Sequence, residues 1–149
     1  MHERIQPPTM PKPFSLYSPA IRAGNVIYVA GQLPINSRGE IEGETDIIAQ
    51  TRRVLENIRL LLAAAGASVT DVVKTTVYLT DMKYFADMNQ VYKEYFGDAL
   101  PARTTVQVVA LADKSSLIEI DAIAVIDGWP TSQLGGVGRL VGNRCRVSG

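Results

Sequence analysis

The chain has 149 residues with 46% hydrophobic residues, and fifteen Lys+Arg balance fifteen Asp+Glu at a sequence pI near 6.6. That length suits one domain with a real core, and the charge balance leaves no footprint for nucleic acid or an anionic membrane. A single cysteine, Cys145, rules out an internal disulfide framework and a cysteine-rich metal site, and the single histidine, His2, in the N-terminal stretch leaves His-Cys, Ser-His and HExxH chemistry without an obvious histidine.

Residues 1–13 carry Pro7, Pro8 and Pro11 and no apolar signal region, which predicts an extended N-terminal arm and no targeting segment. No apolar run approaches the ~18–20 residues of a membrane span, so the expected location is cytoplasmic. Val26, Ile27, Tyr28, Val29 and Ala30 form a strand pattern between Gly24-Asn25 and Gly31, and Asn36-Ser37-Arg38-Gly39 marks a turn. From Asp46 the apolar period becomes helical, through Ile47, Val54, Ile58, Leu61 and Ala65. Thr45 is the expected N-cap and Gly66 the stop. Residues 72–80 return to alternation, with Val73, Thr75, Val77 and Leu79 on one face and Lys74, Thr76 and Tyr78 on the other. Asp81 can cap a second helix whose stripe is Phe85, Met88, Tyr92, Tyr95 and Phe96, ending at Gly97. Strands over 103–109 and 117–126 complete an α+β domain, 14–127, with two helices packed on one sheet face.

The other sheet face carries the chemistry. In the last strand Ile118, Ile120, Ala122 and Ala124 suit a helix-covered core, while Glu119, Asp121, Ile123 and Val125 mix acidic and apolar groups. The same alternation points Thr104, Val106 and Val108 to the helices and Arg103, Thr105 and Gln107 away. Arg103, Glu119, Asp121, Lys74 and Tyr78 are therefore expected on one face, covered by another subunit or solvated as an antiparallel sheet face can be. Residues 128–149 read as a Gly/Arg-rich C-terminal tail. Gly135-Gly136-Val137-Gly138 lacks the spacing of a dinucleotide loop, because Val141 stands where its last glycine belongs.

Four blocks resemble a known family. Gly31-Gln32-Leu33-Pro34, Val73-Lys74-Thr75-Thr76-Val77-Tyr78-Leu79, Pro101-Ala102-Arg103 and Ile118-Glu119-Ile120 occur in the order and spacing of the reactive intermediate deaminase family, also called RidA, YjgF or L-PSP. The resemblance spans about residues 17–126. It implies a chorismate-mutase-like α+β fold, a homotrimer and sites in clefts between subunits. It also implies hydrolysis of enamine and imine intermediates, the 2-imino acids, to 2-oxo acids and ammonia. Such a reaction needs a carboxylate anchor, a positioned water and a proton-handling group, with no metal or organic cofactor.

The resemblance assigns these roles residue by residue. Arg103 is the carboxylate anchor, since a guanidinium fork binds a carboxylate through two N–H bonds; an ion pair with Glu119 or Asp121 is the competing explanation. Glu119 is the acid/base. Tyr17 resembles an aromatic residue closing the cleft, against an ordinary half-buried tyrosine, and Gly31 a glycine whose backbone meets the ligand, against a plain turn. Asn89 matches a site position on the second helix, against a surface asparagine. Ala30 and Thr105 stand where well-characterised members have serine and cysteine. Ala30 removes a hydroxyl hydrogen bond worth about 0.5–1.5 kcal/mol, which lowers activity or opens room for a bulkier substrate. The alternatives are a non-catalytic binder of small carboxylates that regulates rather than reacts, and an endoribonuclease, which the balanced charge disfavours.

Overall fold

The computed structural model describes residues 1–127. Its strands are β1 (His2–Ile5), β2 (Ala20–Ala23), β3 (Val26–Gln32), β4 (Val72–Leu79), β5 (Ala102–Gln107) and β6 (Ile118–Val125). They form one mixed sheet in the order β1-β2-β3-β6-β4-β5. Neighbours are antiparallel except β4 and β5, whose parallel pairing requires a crossover. That crossover is α2 (Phe85–Phe96), while α1 (Ile47–Ala64) links β3 to β4 and lies against β3, β6 and α2. Both helices cover the same sheet face, the α+β arrangement expected from the sequence.

Val54, Leu55, Ile58, Leu61 and Leu62 of α1 are fully buried against Ile27, Val77, Leu79, Ile118 and Ile120 of the sheet. This apolar seam fixes the helix layer. The N-cap is Asp46 rather than Thr45: Asp46 keeps extended backbone angles and its Oδ1 accepts from the amides of Ile48 and Ala49 at 3.0 and 3.1 Å. Thr45 itself sits at φ 64°. Gly66, at φ 82°, ends the helix as expected. Asp81 caps a short 3₁₀ turn, Met82–Tyr84, that runs directly into α2. In α2 the buried stripe is Met88, Val91, Tyr92 and Phe96, and Phe85 stays partly exposed.

The first two strands are invisible to alternation because each has only four residues. His2–Ile5, within the expected arm of 1–13, pairs with β2 as the sheet edge, and β2 joins β3 through the two-residue turn Gly24-Asn25. In β4 the register with β6 shifts between Val72 and Lys74, so Val72 is buried and Val73 is exposed, reversing the expected inward place of Val73.

β5 reverses more consequentially. In its parallel register Arg103 lies beside Thr75, Thr105 beside Val77 and Gln107 beside Leu79, all helix-facing positions. Arg103 accordingly donates to Asn89 Oδ1 on α2 at 2.7 Å, and Gln107 accepts the Met82 amide at 2.8 Å. Thr104 points the other way, where Lys74 Nζ donates to its hydroxyl at 2.7 Å. Thr104 and Val106, expected inward, are therefore outward, and Val108 lies past the strand. The reason is location: β5 is the sheet's edge, where the covering layer offers amides and aromatic rings instead of aliphatic core. The tail 128–149, with Cys145 and the glycine cluster, lies outside the described residues.

Candidate active site

The residues singled out from the sequence fall into two groups on opposite faces of the sheet. The first is built where β3 meets β6. Between Val29 and Gln32 the register with β6 slips by one residue, a bulge containing Ala30 and Gly31. The bulge lays the Gly31 backbone against the Glu119 side chain: a Cβ on Gly31 would fall 2.8 Å from Glu119 Cδ. Tyr17, Ala30, Gly31 and Glu119 line one cleft of about 460 Å³. Its flank, 10–19, is pinned where the Ala30 amide donates to the Pro19 carbonyl at 2.9 Å. Its inner wall is pinned by buried Asn57 of α1, which donates to the carbonyls of Leu33 and Ile35 at 3.2 and 2.9 Å.

Burial, and secondarily the charge of Asp121, raises the Glu119 carboxyl above the ordinary glutamate range. Burial and then the Glu119 charge raise the Tyr17 phenol in the same way. The raised carboxyl is suited to exchange protons with a bound molecule. Asp121 accepts from the Tyr78 hydroxyl at 2.8 Å, so it is committed to the sheet face two residues along.

The second group lies under α2. Arg103 Nη1 donates to Asn89, and the guanidinium sits 4.8 Å from the Tyr92 ring centroid and 5.5 Å from that of Phe85. The Tyr92 hydroxyl is held in turn by Thr75 Oγ1 at 2.7 Å, fixing the ring. No carboxylate pairs with Arg103 among the described residues, so neither ion pair weighed for it, to Glu119 or to Asp121, is formed. Arg103 also lines a second cavity of about 580 Å³, beside Pro101, Leu100 and Asp98. Thr105 Oγ1, two residues on, is buried without a hydrogen-bond partner. Arg103 and Glu119 are thus not neighbours within one chain, contrary to the shared face expected for them.

Residues 8–126 match the family described as Endoribonuclease L-PSP. The chain belongs to the RidA/YjgF/L-PSP family. A RutC family protein of Pyrococcus horikoshii is 55% identical over 125 residues, covering 83% of this chain and 98% of that protein. The 3-aminoacrylate deaminase RutC of Acinetobacter baylyi is 42% identical over 122 residues, with coverages of 82% and 96%. The 2-iminobutanoate/2-iminopropanoate deaminase of Escherichia coli is 38% identical over 129 residues, with coverages of 84% and 98%. Among solved structures, a putative endoribonuclease of Thermotoga maritima has a TM-score of 0.81 at 44% identity, covering 86% of this chain and all 100% of that one.

In this L-PSP chain the sequence singles out Asn89, but not the rings of Phe85 and Tyr92 that share its face or the Asn57 beneath the cleft. Phe85, Asn89 and Tyr92 recur at i, i+4 and i+7, one face of α2, a signal that marks the ring-and-amide cradle of Arg103. Asn57 left no such signal, because a polar residue in a helix pattern reads as surface until its carbonyl partners are known. Among the described residues of this L-PSP domain no helix is long and apolar enough to cross a membrane, and no group of three or more His, Cys, Asp or Glu side chains could hold a metal.

Proposed function

We propose that the protein hydrolyses 2-imino acids, and the enamines that tautomerise to them, to 2-oxo acids and ammonia. The observation that carries this reading is a half-buried carboxyl, Glu119, with a raised proton affinity, facing a cleft that also holds Tyr17 and the exposed backbone of Gly31. The deaminase names of two relatives point to the same reaction class.

The site is completed by a second copy. Arg103, on the opposite sheet face, supplies a carboxylate fork that its own Glu119 cannot use, so the partner subunit's Arg103 holds the substrate carboxylate over the Glu119 cleft. The outward sheet face, with Tyr28 and Val73 about half exposed, is the surface such an assembly covers, and a homotrimer of the family type fits it. Asn89 and the rings of Tyr92 and Phe85 orient the guanidinium.

Water adds to C2 of the imine, forming the C–O bond as Glu119 takes a proton from it. Glu119 returns that proton to the nitrogen, giving a carbinolamine, and then carries the hydroxyl proton to the amino nitrogen as the C=O bond forms, the C–N bond breaks and ammonia leaves the 2-oxo acid. The sum is imino acid plus water to oxo acid plus ammonia, with no redox change and no cofactor. RNA cleavage has weaker support, because phosphate neutralisation needs an excess of basic charge that fifteen against fifteen does not supply.

The test is 2-oxo acid formation above the spontaneous rate from imines made in situ by an amino-acid oxidase. Wild type is expected to accelerate it, and Arg103→Ala to lose most of that acceleration. Calorimetric binding of a 2-oxo acid without turnover of any imine would overturn the hydrolase reading in favour of a carboxylate binder.

A further inference from the structure

Beyond its reacting end the Glu119 cleft presents hydrocarbon. Met10, Pro13, Phe14, Leu33, Ile35 and Ala112 line it, and Phe14 stacks edge-on with Tyr17 at 6.1 Å between ring centroids. The amides in its wall are already spent on backbone. Asn57 donates to the carbonyls of Leu33 and Ile35, and Gln32 donates to that of Ala30 at 2.9 Å. Ala30 adds a methyl group to the lining and no hydroxyl.

The volume is also informative. The single chain's cleft measures about 460 Å³ before the partner's Arg103 covers its reacting end, whereas the imine of alanine extends beyond its head by one methyl group. We propose that the site prefers 2-imino acids bearing a bulky apolar side chain, those derived from leucine or phenylalanine, over the imines of alanine and other small amino acids. The preference rests on the deaminase reading and names the substrate class of the same site. Apolar walls reward every methylene they remove from water, and side chains that differ by one methylene are separated about 10–200-fold by such pockets. Lys12, exposed at the rim, is the one cation lining the cleft among the described residues and marks the competing class, an imine with an acidic side chain.

The experiment compares kcat/KM for imines generated from leucine, phenylalanine, alanine and aspartate. The leucine and phenylalanine imines are expected to exceed the alanine imine by about tenfold or more. Ala112→Phe, at an exposed position, fills the cleft and should reduce the leucine-to-alanine ratio by about tenfold. Phe14→Ser, also exposed, removes part of the apolar wall and should lower the same ratio, which keeps the test decisive if the first variant does not fold. Equal rates, a preference for the alanine or aspartate imine, or a ratio unmoved by both variants overturns the preference while leaving the deaminase reading intact. Failure to turn over any imine overturns both.

Discussion

The Glu119 carboxylate occupies the space that a side chain at position 31 would need, with Glu119 Cδ 2.8 Å and Cγ 3.1 Å from where a Cβ on Gly31 would stand. Gly31 is not among the residues with positive φ, so its lack of a side chain serves this approach and not an unusual backbone. Gly31→Ala therefore carries no backbone strain, and the flexible end of Glu119 can swing aside. The expected result is a fold with a nearly unchanged thermal midpoint and imine hydrolysis reduced about 100-fold or more, the usual worth of a general acid/base. Activity close to wild type in folded Gly31→Ala would remove Glu119 from the proton-transfer role.

Asp121 lies on the same face as Glu119 and raises its proton affinity, second only to burial. As a base Glu119 must be ionised, so kcat/KM should fall as pH drops through its raised pKa. Asp121→Asn removes a negative charge, makes ionisation of Glu119 easier and moves this acid limb to lower pH. The amide still accepts from the Tyr78 hydroxyl, so the local sheet is preserved. The check is a pair of pH–rate profiles on one substrate. An acid limb unmoved, or moved upward, would detach that limb from Glu119.

The strongest local patterns in the sequence predict the elements that make the core. The apolar spacing of α1 and the alternation of Ile118, Ile120, Ala122 and Ala124 in β6 both reappear as buried residues. Orientation failed where the answer is non-local. Val106 reads as an inward residue by its chemistry, yet the parallel register of β5 against β4 turns it outward and sends Arg103 toward α2. Arg103 and Glu119 stand out in the sequence as charged groups expected on one face, but their placement on opposite faces depends on a pairing that no window of sequence contains. A one-residue bulge likewise hid the exposure of Val73, since a single slip exchanges the two faces of a strand.

Asn57 supports the cleft from beneath. It is 4% exposed, and its side-chain amide donates to two carbonyls on the segment that follows β3. Replacing it with alanine leaves both carbonyls short of a buried donor and opens a small void in α1. Asn57→Ala is expected to lower the unfolding free energy by about 1–3 kcal/mol, measured by chemical denaturation. A change near zero would mean that water reaches those carbonyls and that the wall is not fixed from α1.

Because Arg103 and Glu119 stand on opposite faces, a site containing both must draw them from different chains, which gives the sharpest test of the assembly. Arg103→Ala and Glu119→Gln should each be inactive alone. In oligomers formed by co-expressing the two variants in equal amounts, a working site needs Arg103 from a Glu119→Gln chain and Glu119 from an Arg103→Ala chain. Random assortment makes that combination at about one site in four, so roughly a quarter of wild-type activity per site should return in a closed ring of identical interfaces. A site contained within one chain cannot be rescued in this way, since every chain in the mixture lacks one of the two groups. Activity that stays at the level of the separate variants, in oligomers shown by mass to contain both, would refute the shared site and with it the role given to the guanidinium.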